Sequence, residues 1–258
     1  MTATRSNLSL FAQTLNLTLD DQGSGQPYLL LHGGAGPASM AGLASSLAQS
    51  GRAIVPTYPG FNGTLRPDRF SRVEDLVLAL LQLLDELQLE STVLVGNSFG
   101  GWLAAEMALR QSPRIGSIVL LNAVGIDTGS PERQIVDPMG VPPQRLAGLA
   151  FHDPARYARP PADADAAATM AANQAALRVY AGQPFMHDPS LHGRLAGLKV
   201  PACVMWGESD GIVDLAYGQR FAAAMPGAQF LPVAAAGHFP QIEQTAQVVA
   251  ALHALAGR

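Results

Sequence analysis

Lysine is all but missing from this sequence: Lys199 stands alone in 258 residues, and 16 basic against 20 acidic side chains leave a net charge of −4. Such a surface offers no basic stripe for a phosphate backbone, which excludes nucleic acid as an expected partner. Cysteine is equally scarce. Cys203, inside the run PACVMW, can close no internal disulfide and reads as a small core residue. Long apolar runs are absent too, since stretches such as Ser91–Val95 and Ile115–Leu121 are strand-sized and far short of a bilayer span. No membrane partner is expected. The opening MTATRSNLSLFAQTLNLTLDD has no extended apolar region with a small-residue cleavage site, so no secretory signal is read and a cytoplasmic location is expected. Internal repeats and cysteine clusters of metal-ligand spacing are missing as well, and neither metal nor cofactor is expected.

What the chain does have is apolar content, 48% of residues against 14% charged, in a length that suffices for one large core with or without an insertion. Short, nearly unbroken apolar runs recur at Tyr28–Leu31, Ala53–Val55, Thr92–Val95 and Ile115–Leu121, and again at Ala202–Trp206 and Gln229–Val233. Runs of this kind fit strands covered on both faces. Helical patterns lie between them. Ser71-Arg72-Val73-Glu74 has the form of a capping box ahead of Val73, Leu76, Val77, Leu80, Leu84 and Leu87 at helical spacing. A second helix, FGGWLAAEMALRQ, starts just after Ser98 and ends before Pro113, its small residues permitting close approach to neighbouring strands. Strands alternating with helices predict an α/β domain with a mostly parallel sheet.

Residues 123 to 189 break this pattern. They hold nine of the nineteen prolines, several alanine runs and no strand-like stretch, and they read as an insertion of short helices. Leu198-Lys199-Val200-Pro201 then leads back into strand-like sequence. The expected organisation is a core of residues 1–122 and 190–258 interrupted by 123–189, because neither flank carries a flexible Gly/Ser tract.

The run VLVGNSFGGW places Gly96-Asn97-Ser98-Phe99-Gly100, a G-x-S-x-G pattern, between a predicted strand and a predicted helix. A turn that tight strains the serine backbone, and side chains at positions 96 and 100 would collide with the adjoining strand or helix. A serine hydroxyl near neutral pH is a poor nucleophile and needs a base, an orienting acid and donors for the oxyanion. His238, in AAAGHFPQIEQ after the last strand-like run, is the candidate base. Asp210, in VMWGESDGIVD, is the candidate acid, with Glu208 and Asp214 close by and Asp127 a more distant rival. Leu31-His32-Gly33-Gly34-Ala35 can expose backbone N–H groups, so Gly34 and the Phe99 amide are the candidate oxyanion donors. His32 reads as a hydrogen-bonding prop for that turn.

Through LLLHGGAG, GNSFGGW, WGESDGIV and AGHFPQIEQ, in this order and spacing, the chain resembles the α/β-hydrolase superfamily over nearly everything but the insertion. The resemblance implies an eight-stranded, mostly parallel sheet flanked by helices, with residues 123–189 as a helical cap, and a serine, acid, histidine order met here by Ser98, Asp210 and His238. Asn97 stands where many members have histidine, which should tune packing at the turn. Ser98 in place of an aspartate nucleophile disfavours dehalogenase and epoxide hydrolase activity. Phe239, where plant-type hydroxynitrile lyases have lysine, disfavours that activity.

Gly33, Phe61, Trp102 and Phe239 are the candidate substrate-binding residues; for Phe61, in Tyr58-Pro59-Gly60-Phe61-Asn62, a purely structural turn is an equal reading. His152-Asp153, His187-Asp188 and His192 lack a familiar metal-ligand spacing and read as aspartate-capped turns. Met139, Met170 and Met186 with Phe151, Tyr157, Tyr180 and Phe185 could line an adaptable pocket or pack the cap. The expected activity is a serine hydrolase cleaving an apolar ester or lactone through an acyl-enzyme. A carbon–carbon bond hydrolase of the same fold and a non-catalytic small-ligand receptor are the alternatives. The expected partner is a small-molecule substrate, and a homo-oligomer is left open.

Overall fold

The computed structural model describes residues 4–130 and 135–256. The expected 123–189 insertion and the flanking 1–122 and 190–258 core therefore include a few positions outside the described residues. Among these residues eight strands form one sheet: β1 (Thr4–Leu10), β2 (Leu15–Gly23), β3 (Pro27–Leu31), β4 (Arg52–Thr57), β5 (Thr92–Asn97), β6 (Ile115–Leu121), β7 (Ala202–Gly207) and β8 (Gln229–Val233). Among the described residues ten α-helices accompany them: α1 (Ala41–Leu47), α2 (Val73–Glu86), α3 (Phe99–Leu109), α4 (Pro143–Ala150), α5 (Pro154–Tyr157), α6 (Ala164–Ala181), α7 (Leu191–Arg194), α8 (Leu215–Ala223), α9 (Pro240–Glu243) and α10 (Thr245–Ala256). The sheet order is β1-β2-β4-β3-β5-β6-β7-β8. Only the β1·β2 and β2·β4 pairs are antiparallel, so β3 through β8 all present their C-terminal ends at one sheet edge.

All six apolar runs read from the sequence become strands. The two that were not read form the antiparallel hairpin β1–β2. There Leu15, Leu17 and Leu19 alternate with Asn16, Thr18 and Asp20, burying one face, while β1 buries only Leu10. β8 departs from the expectation of burial on both faces, because it closes the edge of the sheet and keeps only Val233 fully covered. In the central strands successive side chains feed two cores. Leu29, Leu31, Leu94, Leu120 and Val204 pack with α2, α3 and α8, whereas Leu30, Val93, Val95, Val119, Leu121, Cys203 and Met205 pack with α1 and α10. Cys203 is fully buried in the second core.

The residues between β6 and β7 form α4 to α7, and the longest helix of the described residues, the 18-residue α6, lies among them rather than only short ones. Asp163 starts α6 by accepting the Ala166 N–H at 2.8 Å. A single bridge, Gly125 to His187, with Asp188 N–H donating to the Gly125 carbonyl at 2.8 Å, ties the two ends of this segment together. Asp153 accepts from the Arg156 N–H at 3.1 Å and Asp188 from the Ser190 N–H at 2.7 Å, the capped turns their sequences imply. No described helix is long and apolar enough to cross a membrane.

The start of α2 differs from the Ser71–Glu74 box. Arg72 is extended (φ −133°, ψ 162°), which makes Asp75 rather than Glu74 the third helical residue, and its carboxylate accepts the N–H groups of both Ser71 and Arg72 at 2.9 Å. Asp75→Ala should therefore lower the unfolding free energy by about 1 kcal/mol, and Glu74→Ala by much less, as read by urea denaturation.

Candidate active site

β5 and α3 meet at Ser98, whose backbone sits at φ 55°, ψ −120°. The neighbouring glycines explain how it is held there. A Cβ on Gly96 would lie 2.2 Å from the Gly100 carbonyl oxygen, and one on Gly100 would lie 2.0 Å from the Leu31 carbonyl oxygen. Neither position tolerates a side chain. Ser98 donates its N–H to Leu121 at 3.0 Å, and its carbonyl accepts from Gly101 and Val124, which fixes the turn against β6.

Asp210 follows β7 and is buried with His238. Its Oδ2 accepts from His238 Nδ1 at 2.8 Å and from Asn122 Nδ2 at 2.7 Å, while Oδ1 accepts the N–H groups of Ile212 at 2.8 Å and Val213 at 3.2 Å. Four donors thus fix the carboxylate. Because a carboxylate only accepts, Nδ1 is the donor nitrogen of His238 in this pair. The rivals are engaged elsewhere: Asp127 pairs with Arg220 at 2.9 Å, Asp214 caps α8 through the Tyr217 N–H at 2.8 Å, and Glu208 is exposed. Asp127 is held below its usual range by the Gly129 N–H and by Arg220, against the opposing effect of burial.

Asn97 joins the serine turn to the histidine loop. Its Nδ2 donates to the carbonyls of His238 at 2.9 Å and Leu121 at 3.0 Å. The Ser98 hydroxyl and the imidazole are not themselves hydrogen-bonded in this resting geometry, a contact that in free enzymes commonly tightens only with substrate. Asn122, which the sequence reading missed, holds two partners at once, since its Oδ1 also accepts the Gly207 N–H at 3.1 Å. Its only sequence signal is an asparagine closing the apolar run of β6.

The loop after β3 lies directly against the serine. A Cβ on Gly33 would come within 2.9 Å of Ser98 Cβ and 3.5 Å of its Oγ, so glycine is required for this approach. Among the described residues the Gly34 and Phe99 amides donate to no carbonyl of these turns. Overhead runs α6. A Cβ on Gly34 would meet Leu177 Cδ2 at 2.6 Å and Gln174 Nε2 at 3.6 Å, and Asn173 Oδ1 accepts the Asn62 N–H at 2.7 Å. Tyr180 Oη donates to the Pro59 carbonyl at 3.0 Å, so the helix roofs both the Gly33–Gly36 and Tyr58–Asn62 loops. Phe61 is fully buried against Tyr58 and His32, and Trp102 is 5% exposed, packed on Phe99 and beneath Gly125. Phe239 is half-buried, edge-on to the His238 ring and facing Phe151 at 5.2 Å.

His32 props the Gly33–Gly36 loop. Its Nδ1 donates to the Gly33 carbonyl at 2.9 Å, and its ring stacks on Tyr58 at 3.8 Å. Burial pushes its pKa down from the ordinary 6.5 to about 3, so it stays neutral and is no second base. Among the described residues no three His, Cys, Asp or Glu side chains gather as metal ligands, and His152 and His187 bond to Ser209 and the Phe185 carbonyl.

From residue 28 to residue 252 the sequence matches the Alpha/beta hydrolase family. A 2-hydroxy-6-oxo-2,4-heptadienoate hydrolase of Pseudomonas putida is 38% identical over 123 residues, 45% of this chain and 44% of that protein. The match therefore spans less than half of that relative's length. A 2-hydroxy-6-oxononadienedioate/2-hydroxy-6-oxononatrienedioate hydrolase of Paraburkholderia phymatum is 29% identical over 256 residues, covering 89% of this chain and 86% of that one. Among solved structures, a meta-cleavage product hydrolase from Pseudomonas fluorescens shares the fold at a TM-score of 0.74, with 25% identity and 92% of each chain covered.

The buried, neutral His32 makes stability depend on pH. An unfolded chain binds a proton at this residue near pH 6.5 and the folded chain only near pH 3, so stability falls as pH drops through that interval and is flat above it. Between pH 7 and pH 5 the loss from this group should be about 2 kcal/mol. Urea unfolding of the parent and of His32→Gln at both pH values measures it; equal pH dependence in the two proteins would contradict the assignment.

Proposed function

Since the chain belongs to the alpha/beta hydrolase family, we propose that Ser98, His238 and Asp210 form its hydrolytic machinery and that it cleaves a carbon–carbon bond beside a ketone in a 2-hydroxy-6-oxo-dienoate type of substrate. The single observation that carries the machinery is the Asp210–His238 pair at 2.8 Å, set beside a strained serine through Asn97. The bond is inferred from relatives named as hydrolases of 2-hydroxy-6-oxo polyenoates, one of them matched over 89% of the chain; in such a compound the bond beside the 6-oxo group is a carbon–carbon bond. It replaces ester cleavage as the leading reading.

In this reading Ser98 Oγ bonds to the C6 ketone carbon as His238 Nε2 takes the hydroxyl proton. The oxyanion accepts the Gly34 and Phe99 N–H groups, and Asp210 steadies the imidazolium. A carbon leaving group needs an electron sink, which the dienol supplies once it has shifted to its 2-oxo tautomer. The C5–C6 bond then breaks, its electron pair delocalises onto the C2 oxygen, and His238 returns the proton to the departing fragment. Water, deprotonated by His238, attacks the acyl-serine and releases the carboxylic acid. Gly33 and Phe239 form pocket wall, Phe61 and Trp102 support it from behind, and residues 123–189 act as the cap under which the substrate sits.

Ester or lactone cleavage is the second reading. It is favoured by the pairing of Arg178 with Asp137 and of Arg194 with Glu106 and Asp188, which commits cations of the helical segment to the protein's own carboxylates. Steady-state assays on a 2-hydroxy-6-oxo-dienoate and on p-nitrophenyl butyrate separate the two. The proposal predicts a kcat/KM at least about tenfold higher for the dienoate, and a loss of at least about 10³-fold in Ser98→Ala. Turnover of the ester alone would establish the second reading. Ligand-induced stabilisation with no turnover of either would mark a binding module.

A further inference from the structure

Glu243 lies five residues beyond His238, at the end of α9, and its carboxylate is buried. No feature of the reaction above uses it. Its Oε2 accepts the Gly237 N–H at 2.6 Å and the His152 N–H at 3.2 Å, and its Oε1 accepts the Asp153 N–H at 3.0 Å. One carboxylate thus binds the residue before His238 to the turn that follows α4. The same turn holds more of the site. Ala150 accepts the His238 N–H at 2.7 Å, and Leu149 accepts the Gly211 N–H, next to Asp210, at 2.8 Å. Cβ atoms on Gly237 and Gly211 would sit 2.5 Å from the Ala150 carbonyl oxygen and 2.8 Å from Leu149 Cδ2, so both loops press against this strap. Phe151 meets Phe239 from the same side.

We propose that Glu243 is a positioning residue: it clamps the His238 loop to residues 149–153, so that the helices between β6 and β7 set the position of the base. This rests on the reading of His238 as the base. The chemistry of the clamp is that of an ionised acceptor with both oxygens occupied by N–H donors. An amide of the same shape cannot replace it, because either orientation of glutamine turns an NH₂ group toward at least one N–H.

Glu243→Gln tests this. The folded variant should lose about 10- to 100-fold in kcat, the scale of a slightly misplaced catalytic group, with KM changed less than about threefold. In proton NMR, the downfield resonance of the His238 Nδ1 proton shared with Asp210 should shift, or exchange with water at least about tenfold faster. A folded Glu243→Gln with parent kcat and an unmoved resonance would overturn the proposal. A purely structural role would lower the melting temperature and leave both unmoved. The resonance is read without substrate, so it decides the clamp even if the parent turns over no dienoate or ester. If Glu243→Gln does not fold, amide exchange in the unaltered protein decides. Gly237, His152 and Asp153 should exchange as one unit, and a Gly237 rate more than about tenfold away from the other two would refute the clamp.

Discussion

Everything at this site depends on one strained turn. Ser98 occupies a backbone conformation with positive φ that a side-chain-bearing residue adopts only at a cost of about 1–3 kcal/mol, and its surroundings leave no alternative. On one side the Gly100 carbonyl fills the place of a Gly96 side chain; on the other the Leu31 carbonyl fills that of Gly100. β5 lies between β3 and β6, and every residue of α3 from Phe99 to Ala108 is buried, so both arms of the turn are anchored in the core. The strain is offset by packing that would be needed in any case.

Around that fixed point the other groups are placed by backbone contacts. Parallel register brings the ends of β3, β5, β6, β7 and β8 to one edge, and each contributes one loop: Gly33–Gly34, Ser98, Asn122, Asp210 and His238. Asn97 and Asn122 then cross-link these loops with side-chain amides, and α6 packs over the Gly33–Gly36 loop. A burial deep enough to keep His32 neutral would be costly for an unpaired charge, and the buried carboxylates of Asp210 and Glu243 each accept from several donors.

The sequence made the tight Ser98 turn and the pairing of Asp210 with His238 legible because such local patterns leave little freedom. A strand that stops at Gly-x-Ser-x-Gly, an aspartate after a buried run and a histidine after the last one are constrained residue by residue. Less could be read where identity matters less than position. Glu243 and Asn122 act on N–H groups and a carboxylate that only the tertiary fold brings near them, and an isolated glutamate or asparagine carries no such pattern. The roof helix α6 is alanine-rich on most sides, so no apolar stripe marked Leu177 or Tyr180 as the face over the Gly33–Gly36 and Tyr58–Asn62 loops. The β1–β2 hairpin had alternation in Leu15, Leu17 and Leu19, but its partner strand is nearly all exposed and offered no matching signal. Asp75 replaced Glu74 at the cap of α2 because the helix starts one residue later than its first polar candidate.

The central claim is that five loops from one sheet edge converge so that a single hydroxyl becomes reactive. A crystal structure of the protein after reaction with a small fluorophosphonate tests it most directly. The account predicts phosphorus on Ser98 Oγ, its phosphoryl oxygen within about 3 Å of both the Gly34 and Phe99 amide nitrogens, and His238 Nε2 turned toward the same centre. Phosphorus on another side chain, or an adduct at Ser98 whose oxygen faces away from both amides, would contradict it.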